Sequence, residues 1–164
     1  MNSTSVDMGS DPRRNALAFM RKNNAPALAT VNSEGHPDVS IVFSLTNDNF
    51  DIFFECRLES SKYKNIMHCP FVSMAFSKAQ ELKTVQLKGK AERIEDFDKE
   101  QEVMREMVEM QSGHGNYEVP VLKMFEKGLT NDIVVFKIVP SQITYADYSR
   151  SGKADSRPLF TAIK

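Results

Sequence analysis

Ser60, Ser61 and Lys62 open the stretch SSKYKNIMHCP, residues 60–70, which lies between two apolar runs, FDIFFE and FVSMAF. Two hydroxyls and an ammonium at a helix start are what a phosphate needs: donors, a positive charge and backbone N–H groups without intrahelical partners. The same residues also read as an ordinary helix entry, with Ser60 or Ser61 as cap and Pro70 as terminator. Both readings place a short helix over 60–69. The other groups with chemical potential are scattered. His36, His68 and His114 fall at turn and helix-end positions, which suits solvated imidazoles, with a ligand or proton-donor role as the alternative. Cys56 and Cys69 are the only cysteines and form no CxxC pair, so a disulfide framework is excluded and no zinc site is indicated. Both read as small apolar fillers, one at a strand end and one at a helix end.

Familiar chemical signatures are missing. GHGN lacks the third glycine of a dinucleotide fingerprint and follows a helix instead of a strand, and LKGK sits inside a strand, unlike a P-loop. Neither GxSxG nor HExxH occurs. The acidic run DFDKEQE complements a helix dipole and needs no metal. With a formal net charge of −1 no basic face is implied, so nucleic acid is not expected as a partner. No apolar run approaches 18 residues and the first residues lack the apolar stretch of a signal peptide, so the expectation is a cytoplasmic protein with no membrane contact.

These residues need a scaffold, and 164 residues with 41% hydrophobic content suit one domain with a real core. Residues 1–10 read as a loose segment, 11–150 as the folded domain and 151–164 as a polar tail ending in LFTAIK. Asp11-Pro12 caps a short amphipathic helix carrying apolar residues at 16, 17, 19 and 20. ALATVNSEGHPDVSIVFSL reads as two strands around a turn in which Gly35 supplies positive φ, and TNDN, residues 46–49, is a second turn of residues tolerant of left-handed backbone. FDIFFE is a third strand. Beyond the 60–69 helix come a strand over 71–76 and a strand in TVQLKGKAERI, where Gly89 marks a bulge or a close backbone approach. DFDKEQEVMREMVEMQ reads as a helix burying Phe97, Val103, Met104, Met107, Val108 and Met110. A short helix closed by Gly128 follows, then a long strand over DIVVFKIVPSQITYADYS, bent or interrupted at Pro140. Tight turns between successive strands imply antiparallel pairing, and five or six such strands suggest a small closed barrel.

The order and spacing of these segments resemble the pyridoxamine 5′-phosphate oxidase-like family of FMN-binding proteins. The matching features are an Ala-Thr-Val strand, the restart Gly35-His36-Pro37, and a helix reading Lys62, Asn65, Ile66 and Pro70 in Lys-x-x-Asn-hydrophobic-x-x-x-Pro. A closing strand carries Gly89, Ala91 and Glu92. The resemblance covers about residues 12–96. It implies a mainly β fold, a six-stranded antiparallel split barrel with peripheral helices. It also implies a homodimer with FMN at the subunit seam and oxidoreductase chemistry on a small-molecule substrate or electron donor. By position, Ser60, Ser61 and Lys62 would hold the phosphate. Ser40, Ile41 and Val42 would lie along the ring, Glu55 and Cys56 would sit where the third strand meets the cofactor, and Thr84 and Gln86 would offer polar side chains. For Thr84 and Gln86 a solvent-facing strand row is the alternative. Two departures stand out. Ser40 and Leu45 occupy places where true pyridoxamine phosphate oxidases carry an arginine and a lysine, with Arg57 and Lys64 as possible compensation, and there is no Trp. Both departures argue against vitamin B6 oxidation. No acid or base stands out, though His36 and Tyr145 are available. A non-catalytic flavin- or haem-binding, stress-related module is the alternative.

Overall fold

The computed structural model describes residues 11–112, 132–150 and 160–164. The first helix, α1 (Pro12–Lys22), starts where Asp11 Oδ1 accepts the Arg13 N–H at 3.0 Å, with Pro12 in the first turn as the sequence indicates. It buries Ala16, Phe19 and Met20. β1 (Ala27–Val31) and β2 (Pro37–Ile41) form the expected hairpin. Gly35 takes φ +82° there, and Asn32 Oδ1 accepts the N–H groups of Glu34 and His36.

The second expected strand is in fact two. Val42 and Phe43 fall outside both strands, although the β1–β2 register runs on past them: Val42 N–H donates to Pro26 O, which as a proline returns no N–H, and Ser44 N–H donates to Asn24 O. β3 (Ser44–Thr46) then pairs with β4 (Ile52–Arg57) instead of β1. The TNDN turn between β3 and β4 also differs from expectation. Its positive φ falls on buried Phe50 (+66°), while Asn47 Oδ1 accepts the N–H groups of Asn49 and Asp51. Burial of the Phe50 ring beneath the Arg13 guanidinium, 4.7 Å from its centroid, holds the residue there.

α2 (Ser61–His68) follows, then β5 (Phe71–Lys78), which runs two residues longer than expected, and β6 (Lys83–Arg93). α3 (Phe97–Ser112) buries Val103, Met104 and Met107, whereas Phe97, assigned above to its buried face, is 69% exposed. Phe97 is the first residue of the helix and stands ahead of the turn that meets the sheet. β7 (Ile133–Asp147) passes through Pro140 without breaking, and its register against β6 shifts at Lys88/Gly89. Gly89 is both bulge and close approach: a Cβ there would lie 2.6 Å from Val139 O. Part of the segment read above as a polar tail joins the sheet, since β8 (Phe160–Ala162) pairs with β7 at Thr144–Ala146. The Gly128-closed helix, His114 and residues 151–159 lie outside the described residues.

The sheet order is β2-β1-β5-β6-β7-β4-β3, with every pairing antiparallel. Its two ends, β2 and β3, are consecutive in the chain with two residues between them, so the sheet curls around until covalent continuity links its edges. Counting β2 and β3 as one interrupted strand recovers the six expected, with β8 added. β7 is the link between halves: residues 133–138 pair with β4 and residues 136–147 with β6. Inside, Phe54 stacks on Phe136 with centroids 5.6 Å apart, amid Ile52, Phe76, Val85 and Ile138.

Candidate functional site

Strand alternation divides each strand between this core and an outer face, and the outer face of one half of the sheet is unusual for its small side chains. Directly paired residues point to the same side. Ala27 and Ala29 pair with Ile41 and Val39 across β1–β2, and with Ala75 and Ser73 across β1–β5. Ala75 and Ser73 in turn pair with Gln86 and Lys88 of β6. Four small residues therefore form a floor with larger side chains on either side. The result is a groove of about 330 Å³ crossing β2, β1, β5, β6 and the far part of β7. Gln86 and Lys88 line it, and Val39 marks its other limit. Three exposed apolar side chains share this face: Val39 (70%) in the lining, Ile41 (66%) paired with Ala27, and Phe71 (67%) two residues before Ser73 on β5.

At the β2 end the groove adjoins a second pocket, of about 310 Å³, lined by Thr30, Asp38, Val39, Ser40, Ser61 and Lys62. Val39 is common to both. α2 places Ser61 and Lys62 in its first turn, above the β1–β2 hairpin. Asn65, one turn on, ties the helix down: its Nδ2 donates to Thr30 Oγ1 at 3.0 Å and to Asp38 Oδ2 at 2.7 Å. Asn65 is 5% exposed and Thr30 3%, so this is an internal polar network with its donors used.

The sequence-derived candidates separate accordingly. Ser40, Ser61 and Lys62 converge on the end pocket, and Gln86 lines the groove. Ser60 acts as helix cap: its hydroxyl donates to Arg57 O at 2.7 Å and accepts the Tyr63 N–H at 3.3 Å. Ile41 is exposed on the outer face, and Thr84 lies one step beyond Gln86 on the same row, half-buried. Val42 is buried in the core with its N–H engaged by Pro26 O. Glu55 is half-buried on β4, paired in register with Val135, and lines neither cavity. Cys56 faces the core. Burial pushes its thiol up to about 11, while the Ser60 hydroxyl and the Lys62 charge pull the other way. Arg57 pairs with Glu59 at 2.7 Å, and Lys64 is exposed; neither lines the end pocket, and Leu45 packs against the core from β3. His36 stands exposed on the hairpin turn and Tyr145 is buried on the inner side of β7. Among the described residues no cluster of metal-ligating side chains occurs, and no helix is long and apolar enough to cross a membrane.

Among the lining residues that escaped the sequence reading are Thr30, Asp38, Ser73 and Lys88, together with the alanines of the floor. Asp38 had a usable signal, because it alternates with Val39 and Ile41 on a strand that places Ser40 on the same side.

A curled antiparallel sheet with this order, a pocket under the helix after β4 and a groove along the outer face define a split-barrel protein. Solved structures agree on the fold. A conserved hypothetical protein of Mycobacterium tuberculosis aligns with a TM-score of 0.69 at 20% identity, covering 96% of this chain and 97% of its own. HutZ, described as the heme storage protein of Vibrio cholerae, aligns at 0.62 and 21% identity over 81% and 92%. A protein described as an F420 reductase aligns at 0.60 and 17% identity over 77% and 93%. No curated protein sequence matches the chain. The family model for pyridoxamine 5′-phosphate oxidase matches residues 13–147, and the chain belongs to that family.

Proposed function

We propose that the chain is a homodimeric flavin-binding oxidoreductase, with FMN as the cofactor, and that it does not oxidise vitamin B6. The observation that supports this is the small-residue groove running into a pocket with a lysine and hydroxyls at a helix start. A planar tricyclic ring fits along a floor of Ala27, Ala29, Ser73 and Ala75, with Gln86 and Lys88 within reach of its polar edge. The phosphate end falls at Ser61 and Lys62. The ring supplies electron transfer when bound; the residues of the chain bind and orient it. Exposed Val39, Ile41 and Phe71 on the face that carries the open groove support a second copy as the missing wall, with the sites at a shared seam. The lining of the groove carries one ionisable side chain, Lys88, and neither carboxylate nor imidazole, which favours binding without turnover as the second reading.

Titration of the purified protein with FMN, followed by flavin fluorescence, tests the cofactor. Saturable quenching and a sedimenting dimer at micromolar concentration are expected. A monomer that leaves flavin fluorescence unchanged overturns the proposal. Bleaching by a nicotinamide donor separates an oxidoreductase from a binding module.

A further inference from the structure

The end pocket holds one ammonium, Lys62, and one carboxylate, Asp38, among the hydroxyls of Thr30, Ser40 and Ser61. Its formal charge is therefore zero. The carboxylate is fixed there: Asp38 pairs with Thr30 in register, and the Asn65 amide, delivered by α2, bonds both side chains. A phosphomonoester dianion entering the pocket meets one cation and one anion close together. The first-turn amides of α2 add partial positive charge, but the Tyr63 N–H is already taken by Ser60.

We propose that Asp38 is a specificity-determining residue. It restricts the end pocket to a hydroxyl-rich group carrying at most one negative charge, such as a polyol chain or a phosphodiester, and makes the terminal phosphate of FMN a weakly held group. This deepens the flavin reading, and rests on it for the ligand but not for the charge of the pocket. A purely structural role for Asp38, as the acceptor of Asn65, predicts no such selectivity.

Asp38→Asn separates the two, because the amide oxygen still accepts from Asn65 while the charge is gone. Riboflavin and FMN are titrated into the wild type and the variant. Inorganic phosphate is followed separately through the amide resonances of Ser61 and Lys62. In the wild type, FMN and riboflavin bind within about threefold of each other, since the pocket offers the phosphate no net charge. In Asp38→Asn, FMN tightens about tenfold, riboflavin is unchanged, and phosphate shifts the two amides at lower concentration. Ser40→Arg, which leaves the Asp38–Asn65 bond alone, tightens FMN over riboflavin in the same direction. Should Asp38→Asn fail to fold, this variant carries the test. The proposal is overturned if FMN and riboflavin respond equally to both variants, or if wild-type protein already prefers FMN by about a hundredfold. If neither flavin binds any form, the flavin reading fails and the phosphate titration alone decides the role of Asp38.

Discussion

The two faces of the same strands obey different rules. On the inner face of β4, β6 and β7, alternate residues are large and apolar: Ile52, Phe54, Val85, Leu87, Phe136 and Ile138 are buried. On the outer face of β1 and β5 the alternate residues are Ala27, Ala29, Ser73 and Ala75. Packing explains the first set, because a barrel this narrow needs bulk to fill it. It does not explain the second, since an exposed strand row gains from β-branched and long side chains, and alanine is disfavoured there. Small residues on an outer face make space, so this side of the sheet is shaped for a ligand more than for stability.

The inner face should therefore break under truncation. Phe54→Ala removes a fully buried ring that stacks on Phe136, and a loss of about 3–5 kcal/mol is expected in chemical denaturation. A loss below about 1 kcal/mol would mean that the core closes around the gap, and the contrast between faces would weaken.

The ligand side should show the reverse pattern. Lys62→Ala removes the cation that offsets Asp38 and leaves the phosphate facing an unopposed carboxylate, so FMN binding is expected to weaken by about 1.5–3 kcal/mol while riboflavin changes little. Apo stability should change little, because a cation in the first turn of a helix is slightly disfavoured by the dipole. Equal FMN affinity in the two proteins places the phosphate elsewhere. A large fall in apo melting temperature returns Lys62 to a structural role.

Cys56 sharpens the comparison from the inside. Burial pushes its native thiol up to about 11 from an ordinary 9.0. The folded state thus keeps a proton that the unfolded state gives up first, so stability is undiminished below pH 9 and falls as pH rises from about 9 toward about 11. The loss is on the order of 2 kcal/mol. Alkaline denaturation of wild type and Cys56→Ala checks this: the part of the slope owed to the thiol disappears in the variant. Identical slopes would mean the thiol is not as enclosed as its position on the core face implies.

The legibility of the molecule in its sequence follows the same division. The core was readable because alternation along DIFFEC and TVQLKGKAERI is a local signal that burial enforces. Gly89 was readable because only a missing side chain fits 2.6 Å from a backbone oxygen. The division of the second strand at Val42 was not, since it depends on which edge each half finds and nothing local marks that. The site was half readable. Ser61 and Lys62 are neighbours in sequence, so the helix start announces them. The Thr30–Asn65–Asp38 network joins residues 35 and 27 positions apart and exists only once α2 has settled on the hairpin. Cys56 looked like a cofactor neighbour by position, yet alternation with Phe54 turns it inward, a direction that one residue of register decides.

β7 pairs with both β4 and β6, and it is the last long strand in the described chain. On the ribosome, β4 must therefore wait as an open edge until residues 133–138 have been made and have cleared the exit tunnel, and β6 until residues 136–147 have done so. A nascent chain stalled before that point carries two unpaired β edges, the kind of surface that chaperones bind and that aggregates recruit. Most of the pairings it still lacks are distant in sequence, which places closure of the barrel among the slower folding events, on the order of milliseconds to seconds. In the cell, the interval between the synthesis of β6 and that of β7 is the time when this protein is most exposed to misfolding.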